Sequence, residues 1–412
     1  MKVAVIGGGW AGIAAAAELT AAGVATTVYE AGRVPGGRAR SVVIDGRALD
    51  NGQHILLGAY REILEVMRRI GADPEQLLER RPLQVVDDAG FRMALPKWPA
   101  PLNVAWGLLT AHGVGWREKF ATARWMQGVK AHGFRLATDT TVAEWLDGTG
   151  QTGELRRHLW EPLCLAALNI PAGRASAQIF ANVLRDSLGS PRREDTDLLL
   201  PRVDLDRLLP EPASNWLAAH GATLRLGHRV ANLAPLPHGI AVDGEIHDAV
   251  IVATAPQHAG QLWPALAAGF AYEPIVTVYL QFAATTGLAF PLRKQSGKYG
   301  QWVVDRGRGL LACVLSGHGA WEALGEAELV AALVAELALP TPPIWRKVIC
   351  ERRATFACRP NLTRPDHRTP DPRILRAGDY TWAEYPATLE GAVRSGRRAA
   401  HAVLGNDYNP AS

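Results

Sequence analysis

A β-branched run, Val3 to Ile6, opens the chain, and a glycine-rich stretch, Gly7-Gly-Gly-Trp-Ala-Gly12, interrupts it. Ile13, four alanines and Leu19 predict a buried helix that stops near Gly23. Thr26-Thr-Val-Tyr29 predicts a second strand, closed by Glu30. Ile63, Leu64, Met67 and Ile70 recur at helical spacing between Tyr60 and Gly71, an amphipathic helix. Residues 96–128 break this pattern: Pro96, Pro99 and Pro101 frame Trp98, and a largely apolar stretch with Trp106 and Trp116 follows. Such a segment reads as a lid or membrane-dipping element, because indole favours the bilayer interface, or as an ordinary helical hairpin packed on a core.

Residues 135–190 predict helices, with Thr141 and Glu144 placed as a capping box and with His158 and Cys164 as packing or surface positions. Arg192 to Asp197 reads as a charged loop. His228–Leu233 and Ala249–Thr254 predict strands, and Glu273–Phe282 and Gln301–Ser316 predict an antiparallel sheet. Arg373–Ala377 leads into Gly378-Asp379, and a helix beginning near Ala387 runs to about Leu404, with Gly405 as its stop. The nucleotide-type unit therefore opens the chain, and pieces near 225–255 and 373–405 have the composition to complete its sheet.

Bulk composition narrows the class. At 412 residues, 48% hydrophobic and 20% charged, the chain is a well-buried globular protein with room for two domains. Its net charge of +4 is modest, and its 37 arginines and seven lysines are scattered, so no nucleic-acid face is implied. Cys164, Cys313, Cys350 and Cys358 show neither C-x-x-C pairing nor zinc spacing; no metal site is expected, and four isolated thiols read as buried packing residues in a reducing compartment. No uninterrupted apolar stretch reaches the roughly 18 residues of a membrane helix. The expectation is a cytoplasmic protein, soluble or peripheral on the inner face of the cytoplasmic membrane.

The chemistry begins in the first strand–loop–helix unit. Gly7 permits a tight turn, Gly9 lets backbone approach a pyrophosphate, and Gly12 lets helix and sheet touch. Glu30, 18 positions after Gly12, is placed to accept both ribose hydroxyls. The alternative is a glycine turn without ligand. Downstream, Gly36-Gly37-Arg38 reads as a second ligand contact or as a surface turn, and its position favours contact. The helix starting near Ala387 would offer unpaired N–H groups and a positive dipole end to an electron-rich ligand. A second glycine fingerprint is absent, which argues against a two-nucleotide reductase, and no Cys beside these motifs suggests covalent attachment.

The strings V-A-V-I-G-G-G-W-A-G, P-G-G-R-A-R-S, A-L-D-N-G-Q-H and G-D-Y…Y-P-A-T-L-E-G-A-V-R-S-G resemble the FAD-dependent amine oxidase and phytoene desaturase superfamily. D-N-G-Q-H-I-L-L-G-A-Y-R-E and the tail P-A-T-L-E-G-A-V-R-S-G-R are most similar to the hydroxysqualene dehydroxylases within it. The resemblance implies an α/β fold: a Rossmann-like, glutathione-reductase-type FAD-binding domain built from residues 1–56, 195–258 and 360–412. An α+β substrate domain, 57–194 and 259–359, would be inserted between these pieces.

It also implies non-covalent FAD, with Gly7, Gly9 and Gly12 at the pyrophosphate, Glu30 at the ribose, Gly37 and Arg38 as the second contact, Val230 at the adenine and Asp379 at the phosphate–ribitol chain. Trp10, Ala11, Ala31, Gly52, Gln53, His54, Ala253, Gly378, Thr388 and Leu389 would line the same cofactor.

The reaction implied is reductive removal of an allylic hydroxyl from hydroxysqualene to give squalene, a step of hopanoid precursor synthesis. Hydroxide leaves poorly, so an acid or hydrogen-bond donor is required; the candidates are His54, Tyr60, Glu384 and Tyr385. The partners implied are a linear triterpenoid, an unspecified electron donor and a peripheral membrane contact. Two alternatives stay open: a carotenoid-type desaturase or amine oxidase taking hydride from its substrate, and a non-enzymatic prenyl-binding protein on the same fold. Apolar walls around the substrate would favour a polyene or triterpene, a polar-mouthed aromatic cage an amine.

Overall fold

A computed structural model describes residues 1–410. The chain enters as β1 (Lys2–Ile6), α1 (Trp10–Ala21) and β2 (Ala25–Glu30), then forms a short hairpin over residues 41–50. Helices α2 (Arg61–Arg69), α3 (Leu102–Thr110) and α4 (Trp116–Ala131) follow, with further helices up to residue 186. Next come β3 (Thr223–Leu226), β4 (Ala249–Val252), β5 (Tyr272–Gln281), β6 (Leu292–Lys294), β7 (Trp302–Asp305) and β8 (Leu310–Ser316). Helix α5 (Glu326–Leu337), β9 (Trp345–Phe356), β10 (Ile374–Arg376) and α6 (Leu389–Val403) complete the path.

Two five-stranded sheets organise these elements. The first is wholly parallel, in the order β3-β2-β1-β4-β10, and so gathers strands from both ends of the chain. Strands buried on both faces read as continuous apolar runs, which is why Val3–Ile6 and Ala249–Val252 lack alternation. Val3 and Val5 pack beneath α1 and α6, while Ala4 and Ile6 face a three-stranded antiparallel sheet over residues 233–247. Connections leave β1 and β4 in opposite directions, so the crevice at their carboxyl ends is a switch point, the usual place for a ligand on such sheets. The second sheet is antiparallel, β6-β7-β8-β5-β9. Val276, Val278 and Leu280 of β5 pack one of its faces against α5.

Several expectations need correction. The segment His228–Asn232 is a loop rather than a strand: Asp243 accepts from the backbone N–H of Ala231 and of Asn232, at 3.0 and 2.8 Å, and pairing resumes only at Leu233. A carboxylate thus takes the backbone donors that a ladder would have used. The last helix starts at Leu389, two residues later than expected, because Thr388 is its N-cap. Arg193–Thr196 within the charged loop forms a 3₁₀ turn. Cys164, Cys313 and Cys358 are buried as expected, but Cys350 on β9 is exposed. His158 is no isolated packing residue: its Nδ1 lies 2.5 Å from the buried Asp87 carboxylate, which Lys294 also approaches at 3.3 Å.

The 96–128 region is a pair of helices whose outer side carries large apolar side chains among basic ones. Trp98, Leu102, Trp106, Leu109, Trp116 and Phe120 are exposed, the last two by 70% and 74%. No helix among the described residues is long and apolar enough to cross a membrane.

Candidate functional site

The glycine turn sits at the switch point. Gly7 has φ +109°, and a Cβ there would stand 2.7 Å from the Ala253 carbonyl oxygen; one on Gly12 would stand 1.8 Å from the Gly7 oxygen. Strand, turn and helix are therefore closer than any side chain permits. Gly9 caps α1 without a side chain, and no acidic residue occupies the first turn. That helix end keeps its unpaired N–H groups and its positive dipole end. Gly37 lies against it, since a Cβ on Gly9 would meet the Gly37 Cα at 3.8 Å, and Gly36 N–H donates to Gly8 O at 2.8 Å. Trp10 is buried and its indole N–H donates to Ala39 O at 2.9 Å, which clamps the two loops together. Ala11 instead turns its carbonyl to α6.

Glu30 ends β2. Its carboxylate accepts from Gly8 N–H at 2.7 Å and Gly32 N–H at 2.6 Å. A carboxylate has about four lone-pair directions, so two remain for hydroxyl groups. Ala31 beside it is exposed. Val230 is buried on a loop that the same strand end holds, through His228 N–H to Glu30 O at 2.9 Å.

The far end of the chain arrives at this turn. Asp379 accepts from Arg38 at 2.8 Å, which joins residues 341 positions apart, and this carboxylate raises the Arg38 guanidinium above its ordinary range. Gly378, at φ +150°, donates its N–H to Ser395 Oγ at 2.8 Å. Thr388 caps α6 through Oγ1, accepting from Gly391 N–H at 3.1 Å, and Leu389 is the first helical residue. The open helix end, the carboxylate with spare lone pairs and the Arg38–Asp379 pair fit a dinucleotide.

The four proposed donors do not stand alike. His54 is half-buried, with Nδ1 2.9 Å from Gly52 O, and burial holds its imidazole below the usual range. With Nδ1–H committed to that carbonyl, the neutral ring offers Nε2 as an acceptor. Gly52 packs beside the ring, and Gln53 donates its amide to Tyr279 OH at 2.6 Å, which in turn donates to Asp50 O at 2.7 Å. Tyr60 precedes α2 and packs in the same apolar cluster as Leu389; burial pushes its phenol well above the usual range. Tyr385 is buried beneath the Arg394 guanidinium, 4.8 Å from its ring centre, and burial raises its phenol likewise. Glu384 stands apart, exposed and paired with Arg185 at 3.0 Å.

Sequence reasoning missed two features. One is Glu390 of α6, whose carboxylate accepts from the N–H groups of Glu62 and Ile63 at 3.1 Å each, so that α6 caps α2. The other is the second face of the antiparallel sheet. Thr277, Trp302, Val314 and Ile349 form one cross-strand row there. Tyr279 on the same face reaches the 50–57 loop, and Ile55 and Leu57 of that loop pack in the same apolar cluster. Neither is visible locally, because each depends on which distant segment lies opposite.

Residues 10–404 match the family described as flavin containing amine oxidoreductase. The hydroxysqualene dehydroxylase of Rhodopseudomonas palustris is 31% identical, over 98% of both chains. A probable zeta-carotene desaturase of Synechococcus elongatus is 23% identical over 98% of both. Among solved structures, cyclohexylamine oxidase from Brevibacterium oxydans superposes with a TM-score of 0.70 at 17% identity, over 98% of both chains, a likeness of fold. The chain belongs to the flavin-containing amine oxidoreductase family, and within it to the hydroxysqualene dehydroxylases.

Proposed function

We propose that this protein is an FAD-dependent hydroxysqualene dehydroxylase that converts hydroxysqualene to squalene and holds its cofactor non-covalently. The observation that carries the substrate class is the sheet face opposite the 50–57 loop, where Trp302, Val314 and Ile349 cluster with Ile55 and Leu57. Such an apolar cluster suits a long hydrocarbon chain better than a charged amine. The relatives supply the reaction, since identity to the dehydroxylase exceeds that to the carotene desaturase, 31% against 23%.

When bound, the flavin supplies the hydride for the allylic carbon. Glu30 would take the ribose hydroxyls, Val230 the adenine, the open end of α1 with Arg38 the phosphates, Asp379 the ribitol chain and the start of α6 the ring. For the departing hydroxyl, Tyr60 and Tyr385 are the donors of choice. Burial keeps both phenols protonated throughout the physiological range; the Tyr60 O–H is uncommitted among the described residues, whereas that of Tyr385 is turned to the Asp186 carboxylate and would have to be won from it. His54 presents an acceptor at Nε2 and serves orientation.

Incubating hydroxysqualene anaerobically with chemically reduced enzyme, followed by lipid analysis, tests the reading. Squalene is expected; unchanged alcohol would refute it. The desaturase alternative reverses the electron flow, and oxidised enzyme would then add double bonds to a carotene. The exposed outer side of α3 and α4, with Lys97, Arg117 and Lys119 among its tryptophans, supports a peripheral contact with the inner face of the cytoplasmic membrane.

A further inference from the structure

Thr277 occupies the middle of β5, the strand that β8 and β9 flank on either side. Its side chain is fully buried, and its Oγ1 finds no hydrogen-bond partner among the described residues. In register beside it stand Val314 on β8 and Ile349 on β9, with Trp302 beyond Val314. Tyr279, the next residue on that face, spends its hydroxyl on Asp50 and Gln53 and leaves none for Thr277. An unpaired buried hydroxyl opposes folding, and valine, which already stands at 276, 278 and 314, matches its shape without that penalty. A threonine here therefore needs a partner that the chain itself does not supply.

We propose that Thr277 is the polar anchor for the alcohol group of the substrate. Its O–H donates to the alcohol oxygen, while the apolar chain lies along Trp302, Val314 and Ile349. The inference rests on the terpenoid-alcohol reading above and adds a residue that sets specificity. A hydrocarbon of equal length fills the same surface but leaves the hydroxyl unpaired, so the site prefers substrate to product.

The test titrates FAD-loaded wild type, Thr277→Val and Thr277→Ser with hydroxysqualene and with squalene, following the flavin absorbance spectrum. Thr277→Val is expected to weaken alcohol binding about tenfold, leave squalene binding unchanged and raise the melting temperature of the lipid-free protein. Thr277→Ser, which keeps the hydroxyl, is expected to restore the preference. Equal binding of both lipids by wild type, or a Thr277→Val protein that still prefers the alcohol, would overturn the anchor. A wild type that prefers the alcohol yet forms no squalene when reduced would remove the dehydroxylase reading and leave the anchor standing.

Discussion

A methyl group on Gly12 would stand 1.8 Å from the Gly7 oxygen, and that oxygen is backbone, so nothing can swing away. Gly12→Ala is expected to purify with its flavin largely lost, read as the ratio of visible to ultraviolet absorbance. Glu30→Gln keeps the shape but halves the accepting capacity, and should weaken FAD binding about tenfold in a fluorescence titration, without unfolding the protein. His54 carries a pH signature. Its folded pKa lies below the ordinary 6.5, so folding favours the neutral ring. That contribution is complete above pH 6.5 and disappears as the pH falls below it. His247 and His367 are depressed in the same way, so the melting temperature of His54→Gln should fall less steeply than that of wild type between pH 7 and 5, yet still fall. At this scale the glycines and Glu30 were legible because their spacing is local. Thr277 was not: a threonine among valines reads as strand until β8 and β9 are known to bracket it.

Three helices meet in one joint. Gly396 of α6 presses so closely on α1 that a Cβ would stand 2.0 Å from Ala11 O. Beside it Arg397, buried, donates to Glu18 of α1 at 2.6 Å, to Glu65 of α2 at 2.8 Å, and to Glu62. Removing the shared cation leaves three neighbouring carboxylates short of positive charge, although Glu18 keeps Arg69 at 2.9 Å. Arg397→Ala should therefore lose about 3–5 kcal/mol in urea denaturation, more than a surface arginine by a wide margin. The helices themselves were legible from their periodicity and caps, Thr141 with Glu144 above all. The joint was not, because helical spacing shows which face of a helix is apolar and says nothing of the partner it meets. The 228–232 loop differs from expectation for a related reason: Val230 does enter an apolar core, but Asp243, in the turn of the next hairpin, holds its neighbours' backbone.

Across the whole molecule the proposed membrane face and the proposed cofactor site lie on segments that the chain keeps apart in sequence and in character. On that proposal Trp116 and Phe120, 70% and 74% exposed, would enter the headgroup region with Lys119 beside them. Replacing both with Ser should abolish co-flotation with anionic vesicles while leaving the flavin spectrum unchanged; flotation equal to wild type would rule out this face. The two-sheet plan was legible from the ends of the chain, whose motifs announce a shared sheet. The antiparallel strands were legible as strands but not as a wall with two different faces.

The parallel sheet also fixes an order of events during synthesis. Its central strand emerges from the ribosome first, its neighbour β4 only after residue 249, and its edge β10 after residue 374. Until then a nascent polypeptide displays half-paired strands of the kind that chaperones shield. If the proposed cofactor site holds, flavin loading waits for release, and a ribosome stalled before residue 374 should yield colourless, protease-sensitive chains however much riboflavin the cell contains.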